Sequence, residues 1–241
     1  MNEKHPSLPL PTNWSEKPQL KTNKREGYLY NNNDGWMKIS SHPCTICYKL
    51  AKPYINKFDL AIDIGCRFGE FTCACENDFR KVICFDPKRK SAFNFNTNDK
   101  KTIHFKCAIG ERYETIKMFA GCHSGALNNG KPMSFPKENK HLAQSIPLDY
   151  FDFDASEIGL IKIDTEGFEL KVLKGAVKTI GKHKPVVIIE QNKIQLASEC
   201  KNAALAYLLS NGYRVAEANR DMRGEITDYI LIPSLQRELE A

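Results

Sequence analysis

Residues 158–180 read IGLIKIDTEGFELKVLKGAVKTI, and the fold is decided by how this stretch is parsed. An apolar run from Ile158 to Ile163 stops on Asp164-Thr165-Glu166-Gly167. Beyond it Val172, Leu173, Ala176, Val177 and Ile180 recur at helical spacing, with Gly181 as the expected stop. Glu166 and Glu169 come before Lys171, Lys174 and Lys178, the order that a helix dipole favours. The pattern is a strand, a tight acidic turn and a helix. Ligands of open α/β sheets bind beyond the carboxyl ends of the strands, so chemistry is expected at the turn. Strand side chains alternate, which puts Lys162 and Asp164 on one face, ~6.6 Å apart at ~3.3 Å per residue. A lysine that far inside a buried strand requires a partner, because an unpaired buried charge costs several kcal/mol. Two readings follow: a structural ion pair, or a polar cluster facing a ligand.

The chain around this unit has 241 residues, room for one α/β domain with an extension. Its 41% hydrophobic and 27% charged residues are those of a soluble globular protein. No apolar run reaches the ~20 residues of a membrane span and the polar start is no signal peptide, so a cytoplasmic protein without membrane contact is expected. Several of the nine cysteines lie inside apolar segments, such as Cys84 in VICFD and Cys107 in IHFKCAIG. Reduced, buried thiols are therefore expected rather than disulfides. Cys44-Thr-Ile-Cys47 has half a zinc spacing and no second pair to complete it. No metal is assigned.

The formal charge of +6 is uneven: residues 1–57 hold nine Lys or Arg against four Asp or Glu. We divide the chain into a basic, irregular extension over 1–42 and a catalytic-type domain over 43–241. Such an extension can follow a phosphate backbone or simply remain a solvated arm. A helix is expected over 43–56, where Ile46, Leu50 and Tyr54 sit four apart. A βα rhythm then starts, with strands at 60–65, 81–86 and 102–109 and helices at 70–78 and 88–97. Further strands are read at 115–120, 144–151, 185–190, 212–218 and 226–233, and a helix at 198–210. Residues 121–142, rich in Gly, Asn, Pro and Ser, form a connection long enough to be a functional loop.

Two motifs bear on the ligand. Asp63-Ile-Gly65-Cys66-Arg67-Phe68-Gly69-Glu70 follows a strand and opens a helix. Glycines there let the backbone approach a ligand, and the exposed helix amides favour negative groups. The G-x-x-x-G spacing is not the G-x-G-x-x-G of a dinucleotide site. The next strand ends on Asp86, placed to accept both hydroxyls of a ribose. Turn and acid together imply an adenosine-like ligand across the strand ends.

With these residues in hand, AIDIGCRFGEFT, CFDP, CAIG and above all LIKIDTEGFELKVLKGA resemble the FkbM-type S-adenosylmethionine-dependent methyltransferases, over about residues 45–233. The resemblance implies a doubly wound, Rossmann-like α/β sheet of class I methyltransferase order 3-2-1-4-5-7-6 with an antiparallel last strand. It implies S-adenosylmethionine as cofactor, with Asp63, Gly65 and Gly69 lining its methionine end and Cys66 and Arg67 of the same turn also counted as cofactor-binding. Asp86 and Pro87 would serve the ribose, Ala108 and Ile109 would flank the adenine, and Asp164 and Glu166 would face the methyl group. The family turn usually reads Gly-Ala-Asn where this chain has Gly65-Cys66-Arg67, and its ribose acid is usually Glu where this chain has Asp86.

Methyl transfer from a sulfonium needs positioning, plus a base when the acceptor is a hydroxyl. Lys162, Asp164, Glu166 and Glu190 are the candidate catalytic residues, with Asp164 or Glu166 as base. His123 and Ser124, in the long loop, are within the acceptor's expected reach. The expected reaction is O-methylation of a small molecule or sugar. The alternatives are an RNA 2′-O-methyltransferase, with Lys49, Asp164, Lys193 and Glu217 as a Lys-Asp-Lys-Glu set, and a non-catalytic cofactor-binding module.

Overall fold

In the computed structural model the described residues are 22–25, 28–31, 43–87, 100–119, 140–153, 157–190 and 202–234. Near the N-terminus Thr22–Arg25 (β1) pairs antiparallel with Tyr28–Asn31 (β2), so the extension is not irregular throughout. A two-residue link containing Gly27 suits a hairpin, a signal the reading of 1–42 passed over. Pro43–Ala51 (α1) gives way to a 3₁₀ turn over Lys52–Tyr54 instead of continuing to 56. Pro53, without an N–H, cannot extend the α-helical ladder.

The βα rhythm then runs as expected through Leu60–Ile64 (β3), Glu70–Glu76 (α2), Lys81–Phe85 (β4) and Thr102–Phe105 (β5). The strand expected over 102–109 is two strands. The Cys107 N–H turns back to the Phe105 carbonyl (3.0 Å), and Ala108–Ile109 (β6) leaves for a second sheet. There it joins Glu114–Phe119 (β7) and Lys140–Ile146 (β8) in the order β6-β8-β7. After these come Ile158–Ile163 (β9), Glu169–Lys174 (α3), Val177–His183 (α4), Val186–Glu190 (β10), Ala203–Ser210 (α5), Tyr213–Arg220 (β11) and Ile226–Pro233 (β12). The expected helix at 88–97, the body of the loop at 121–139 and the start of the helix at 198 lie outside the described residues.

The main sheet is ordered β11-β12-β10-β9-β3-β4-β5, with β12 antiparallel to both its neighbours. Counted along the chain, its seven strands stand in the order 3-2-1-4-5-7-6. The class is the expected one, with the three-stranded sheet as an addition. Alternation assigns the two faces. Ile62, Ile64, Ile161, Ile163, Val187 and Ile189 pack with Val172 and Leu173 of α3 and Ile180 of α4. Ala61, Val82, Cys84, Leu160 and Ile188 pack on the other face with Cys47 and Tyr48 of α1 and Phe71 of α2. Asp63 and Lys162 also point to the α1–α2 face, since they fall between the residues of the first set. Among the described residues, no helix is long and apolar enough to cross a membrane.

The helix after the acidic turn breaks at Gly175-Ala176, and Gly181 lies inside α4 instead of ending it. The cause is tertiary. Asp149 accepts from Lys178 N (2.9 Å), Thr179 N (2.8 Å) and Thr179 Oγ1 (2.8 Å), so a remote carboxylate caps the new start. A Cβ at Gly175 would lie 1.8 Å from the Gly110 carbonyl oxygen, whereas one at Gly181 meets nothing within 4 Å. Gly175→Ala should therefore destabilise the fold by about 1–3 kcal/mol, as overpacking does. Gly181→Ala should stabilise it by about 0.5–1 kcal/mol through helix propensity. Urea denaturation of the two variants checks the pair.

Candidate active site

The carboxyl ends of β3, β4, β9 and β10 meet at one edge of the sheet. Gly65, just beyond β3, takes φ 86°, and its N–H bonds the Phe85 carbonyl (2.8 Å). A Cβ there would lie 1.7 Å from the Asp164 carbonyl oxygen, so only glycine lets the two strand ends close together. Asp164 N–H in turn donates to the Ile64 carbonyl (2.9 Å). The two turns named in the sequence are thus in direct contact.

Beyond Gly65 the turn runs over Cys66, Arg67 and Gly69. Cys66 is buried, and its thiol donates to Cys84 below. Arg67 adopts φ 46°, and its N–H donates to Asp86 Oδ2 (2.9 Å). That bond fixes the expected ribose acid against the turn, with half-buried Pro87 next to it. The Arg67 guanidinium stacks 4.9 Å from the Phe68 ring centroid, and its charge reaches Glu70 and Asp164. Gly69, at φ 81°, caps α2. Ala108 is half-buried nearby in the chain, but Ile109 belongs to the main hydrophobic core at 1% exposure.

Lys162 stands at the centre. It is 3% exposed, donates to Asp164 Oδ2 at 2.8 Å, lies 3.9 Å from Asp63 Oδ1 and sits over the Phe71 ring at 5.4 Å. Burial works against its charge, but Asp164 and Asp63 hold the ammonium well above its ordinary range. Asp63 is wholly buried. Thr72 Oγ1 donates to its Oδ2 (2.6 Å), while Oδ1 has no hydrogen-bond partner among the described residues. Burial raises the Asp63 carboxyl against the pull of Lys162 and Thr72.

At the mouth, Asp164, Glu166 and Glu190 bring carboxylate oxygens within 4.8 Å of one another. Burial opposes ionisation of Asp164, but Lys162, a hydrogen bond with Glu190 and the charge of Arg67 hold its carboxyl below the ordinary range. Glu190 goes the other way. Burial, then the charges of Asp164 and Glu166, push its carboxyl well above that range. The two neighbouring carboxyls are thus pushed in opposite directions, Asp164 toward the ionised form and Glu190 toward the protonated one.

Three contributors were missed in the sequence. Thr72 orients Asp63; Glu169 braces the acidic turn; and Asp228, opposite Glu190 in the β10–β12 register, extends the row of acids with Asn219 Nδ2 donating to it at 2.9 Å. Spacing could have exposed Glu169, which ends the D-x-E-G-x-E run. Of the Lys-Asp-Lys-Glu set, Asp164 alone joins the cluster among the described residues. Lys49 is exposed on α1, Glu217 is exposed on β11, and Lys193, like His123 and Ser124, lies outside those residues.

Against known proteins, residues 63–215 match the family described as the methyltransferase FkbM domain. Among solved structures, a protein of the NADB-Rossmann superfamily from Streptococcus agalactiae is similar at a TM-score of 0.50 and 12% identity, covering 84% of this chain and 72% of that one. An FkbM methyltransferase from Methylobacillus flagellatus KT is similar at 0.49 and 22%, covering 71% of this chain. The match spans 43% of that chain's length. An rRNA methylase from Streptococcus thermophilus is similar at 0.49 and 11%, covering 81% and 98%. No curated protein matches.

The Glu190 proton has a thermodynamic consequence. A carboxyl raised in the folded state binds a proton that the unfolded chain releases above its ordinary value of 4.5. Its contribution is therefore present at low pH and lost as pH rises, by up to about 1.4 kcal/mol per pH unit until the folded value is reached. Glu190→Gln keeps a donor toward Asp164 and removes that slope. The variant should gain stability over the natural protein between pH 5 and 7, measured by urea denaturation at each pH.

Proposed function

The chain belongs to the FkbM methyltransferase domain family, matched over more than half its length, and from that premise we propose that it methylates a hydroxyl group of a small molecule or sugar, using S-adenosylmethionine. The observation that carries this is the placement of Asp164 against buried Lys162 on one side and the Glu190 carboxyl, pushed up by burial and its acidic neighbours, on the other. The arrangement keeps the Asp164 carboxylate ionised and fixed in direction, so that it can accept a hydrogen bond from an acceptor hydroxyl.

The residues fit the cofactor. Asp86, held by the Arg67 amide, offers a carboxylate to a ribose diol. Asp63 Oδ1, buried and lacking a hydrogen bond from the described chain, suits the amine of a methionine moiety. When bound, S-adenosylmethionine supplies a methyl group on a cationic sulfur whose leaving group is a neutral thioether.

What the chain adds is orientation and proton handling. Lys162 fixes the Asp164 carboxylate, and Asp164 accepts the proton of the acceptor hydroxyl. Glu190, whose carboxyl is pushed toward the protonated form, meets Asp164 through a hydrogen bond instead of as a full like charge. Glu166 helps to bind the acceptor by accepting from neighbouring hydroxyls. Clustered acids also disfavour a phosphate chain, since like charges in a partly buried site repel strongly. That electrostatic argument supports a small, uncharged acceptor over RNA.

Calorimetry with S-adenosylhomocysteine should give one site per chain, weakened by about 1.5–3 kcal/mol in Asp86→Ala, the worth of hydrogen bonds to a charged group. Isotope transfer from labelled cofactor should then mark sugars and not RNA. Labelled RNA with unlabelled sugars would replace the small acceptor by a 2′-hydroxyl. Binding with transfer to neither would favour a non-catalytic module.

A further inference from the structure

The turn that carries Asp164 and Glu166 has an unusual support. Helix α3 starts at Glu169 after Phe168, whose side chain makes no cap bond. The first residue of the helix instead reaches back to the turn that precedes it. Glu169 Oε1 accepts from Thr165 N (3.0 Å), Thr165 Oγ1 (3.0 Å) and Gly167 N (3.1 Å). Three donors from two turn residues converge on one oxygen of a side chain that is 4% exposed. A buried carboxylate with three hydrogen bonds is a rigid anchor, and leaving those donors unmade would be costly.

The turn needs an anchor for two physical reasons. Glu166 sits at φ 56°, a left-handed conformation that a side chain with a Cβ disfavours, and Gly167 follows at 106°. Glu166 is also held where its carboxylate shares a 4.8 Å neighbourhood with Asp164 and Glu190. Strain and like charge both push it outward. On the opposite side the turn is pinned by Gly65, against which the Asp164 carbonyl closes. Glu169 and Gly65 thus grip the turn from two directions.

We infer that Glu169 is a positioning residue for methyl transfer: by clamping Thr165 and Gly167 it holds Glu166 beside Asp164 and Glu190. The inference rests on the proposed methyl-transfer reading for its purpose, though not for its geometry. Glu169 acts through its acceptor oxygen, so an amide in its place serves as well as a carboxylate.

Glu190 reports the clamp. It is faced by Asp164 and Glu166 from the turn, by Glu169 from α3 and by Asp228 across the sheet from β12, with Lys162 beside Asp164. Removing Glu166 from its side lowers the Glu190 carboxyl toward the ordinary range, because one of the charges raising it has left.

The test titrates the Glu190 carboxyl by carbon NMR of glutamate-labelled protein, in the natural chain and in Glu169→Gln, Glu169→Ala and Thr165→Val. S-adenosylhomocysteine calorimetry is run on each. The clamp predicts a raised Glu190 titration in the natural chain and in Glu169→Gln, a clear fall in Glu169→Ala, and a smaller fall in Thr165→Val. Cofactor-product affinity should stay within about threefold in all, because the Gly65–Asp86 side is untouched. If Glu169→Ala fails to fold, the contrast between Glu169→Gln and Thr165→Val decides. An unmoved titration in Glu169→Ala, or in Thr165→Val when only that variant folds, overturns the clamp. So does a fall in Glu169→Gln as large as in the alanine variant. Loss of product binding by the natural chain, with the Glu190 pattern intact, would instead overturn the methyl-transfer reading and leave the clamp standing.

Discussion

One buried ammonium organises this protein. Lys162 points from the middle of the sheet toward Asp164 at 2.8 Å and Asp63 at 3.9 Å, at 3% exposure. An isolated charge at that depth would cost several kcal/mol, and removing one partner of such a set is strongly destabilising. The lysine therefore dictates that the ends of β3 and β9 lie side by side and that each carries an acid. Gly65 makes the approach sterically feasible, since any side chain there would collide with the Asp164 carbonyl. Packing and electrostatics impose the same geometry.

From that constraint the acids at the mouth take unequal roles. The lysine beside Asp164 holds its carboxyl low, while burial and the charges of Asp164 and Glu166 push the Glu190 carboxyl well up. Environments that push two neighbouring carboxyls apart in this way are the usual mark of assigned acid–base duties. Glu169 and Thr72 do no chemistry in this scheme; they hold the turn and Asp63 where the charges require them.

Much of this was legible in the sequence because it depends on local periodicity. The alternation of Ile161, Lys162, Ile163 and Asp164 gave the face of the strand, and the run from Asp63 to Glu70 gave the glycine turn. What was hidden depends on contacts between distant residues. No local signal breaks the helix at Gly175, because Asp149 caps the next helix from the far side of the chain. The strand at 102–109 looked continuous, yet Ala108–Ile109 pairs with β8, a partner met only over thirty residues later. Ile109, read as flanking the cofactor, also belongs by its side chain to the core, which only the three-dimensional packing shows. Asp228 escaped notice because an antiparallel strand brings its start, not its end, to the site.

The central claim is that Asp164 serves the reaction and is not only the partner that keeps Lys162 tolerable. Asp164→Asn separates the two roles, because the amide keeps size and hydrogen bonding while the charge is lost. Asp63 remains as a second counter-charge for the lysine. The account predicts a folded variant that binds S-adenosylhomocysteine within about tenfold, or ~1.4 kcal/mol, of the natural protein. Its methyl transfer should fall by ~10²–10⁴, the typical worth of a positioned base. Turnover measured together with product affinity and melting temperature is the decisive experiment. A variant as active as the natural protein, or one that no longer folds, would contradict the assignment.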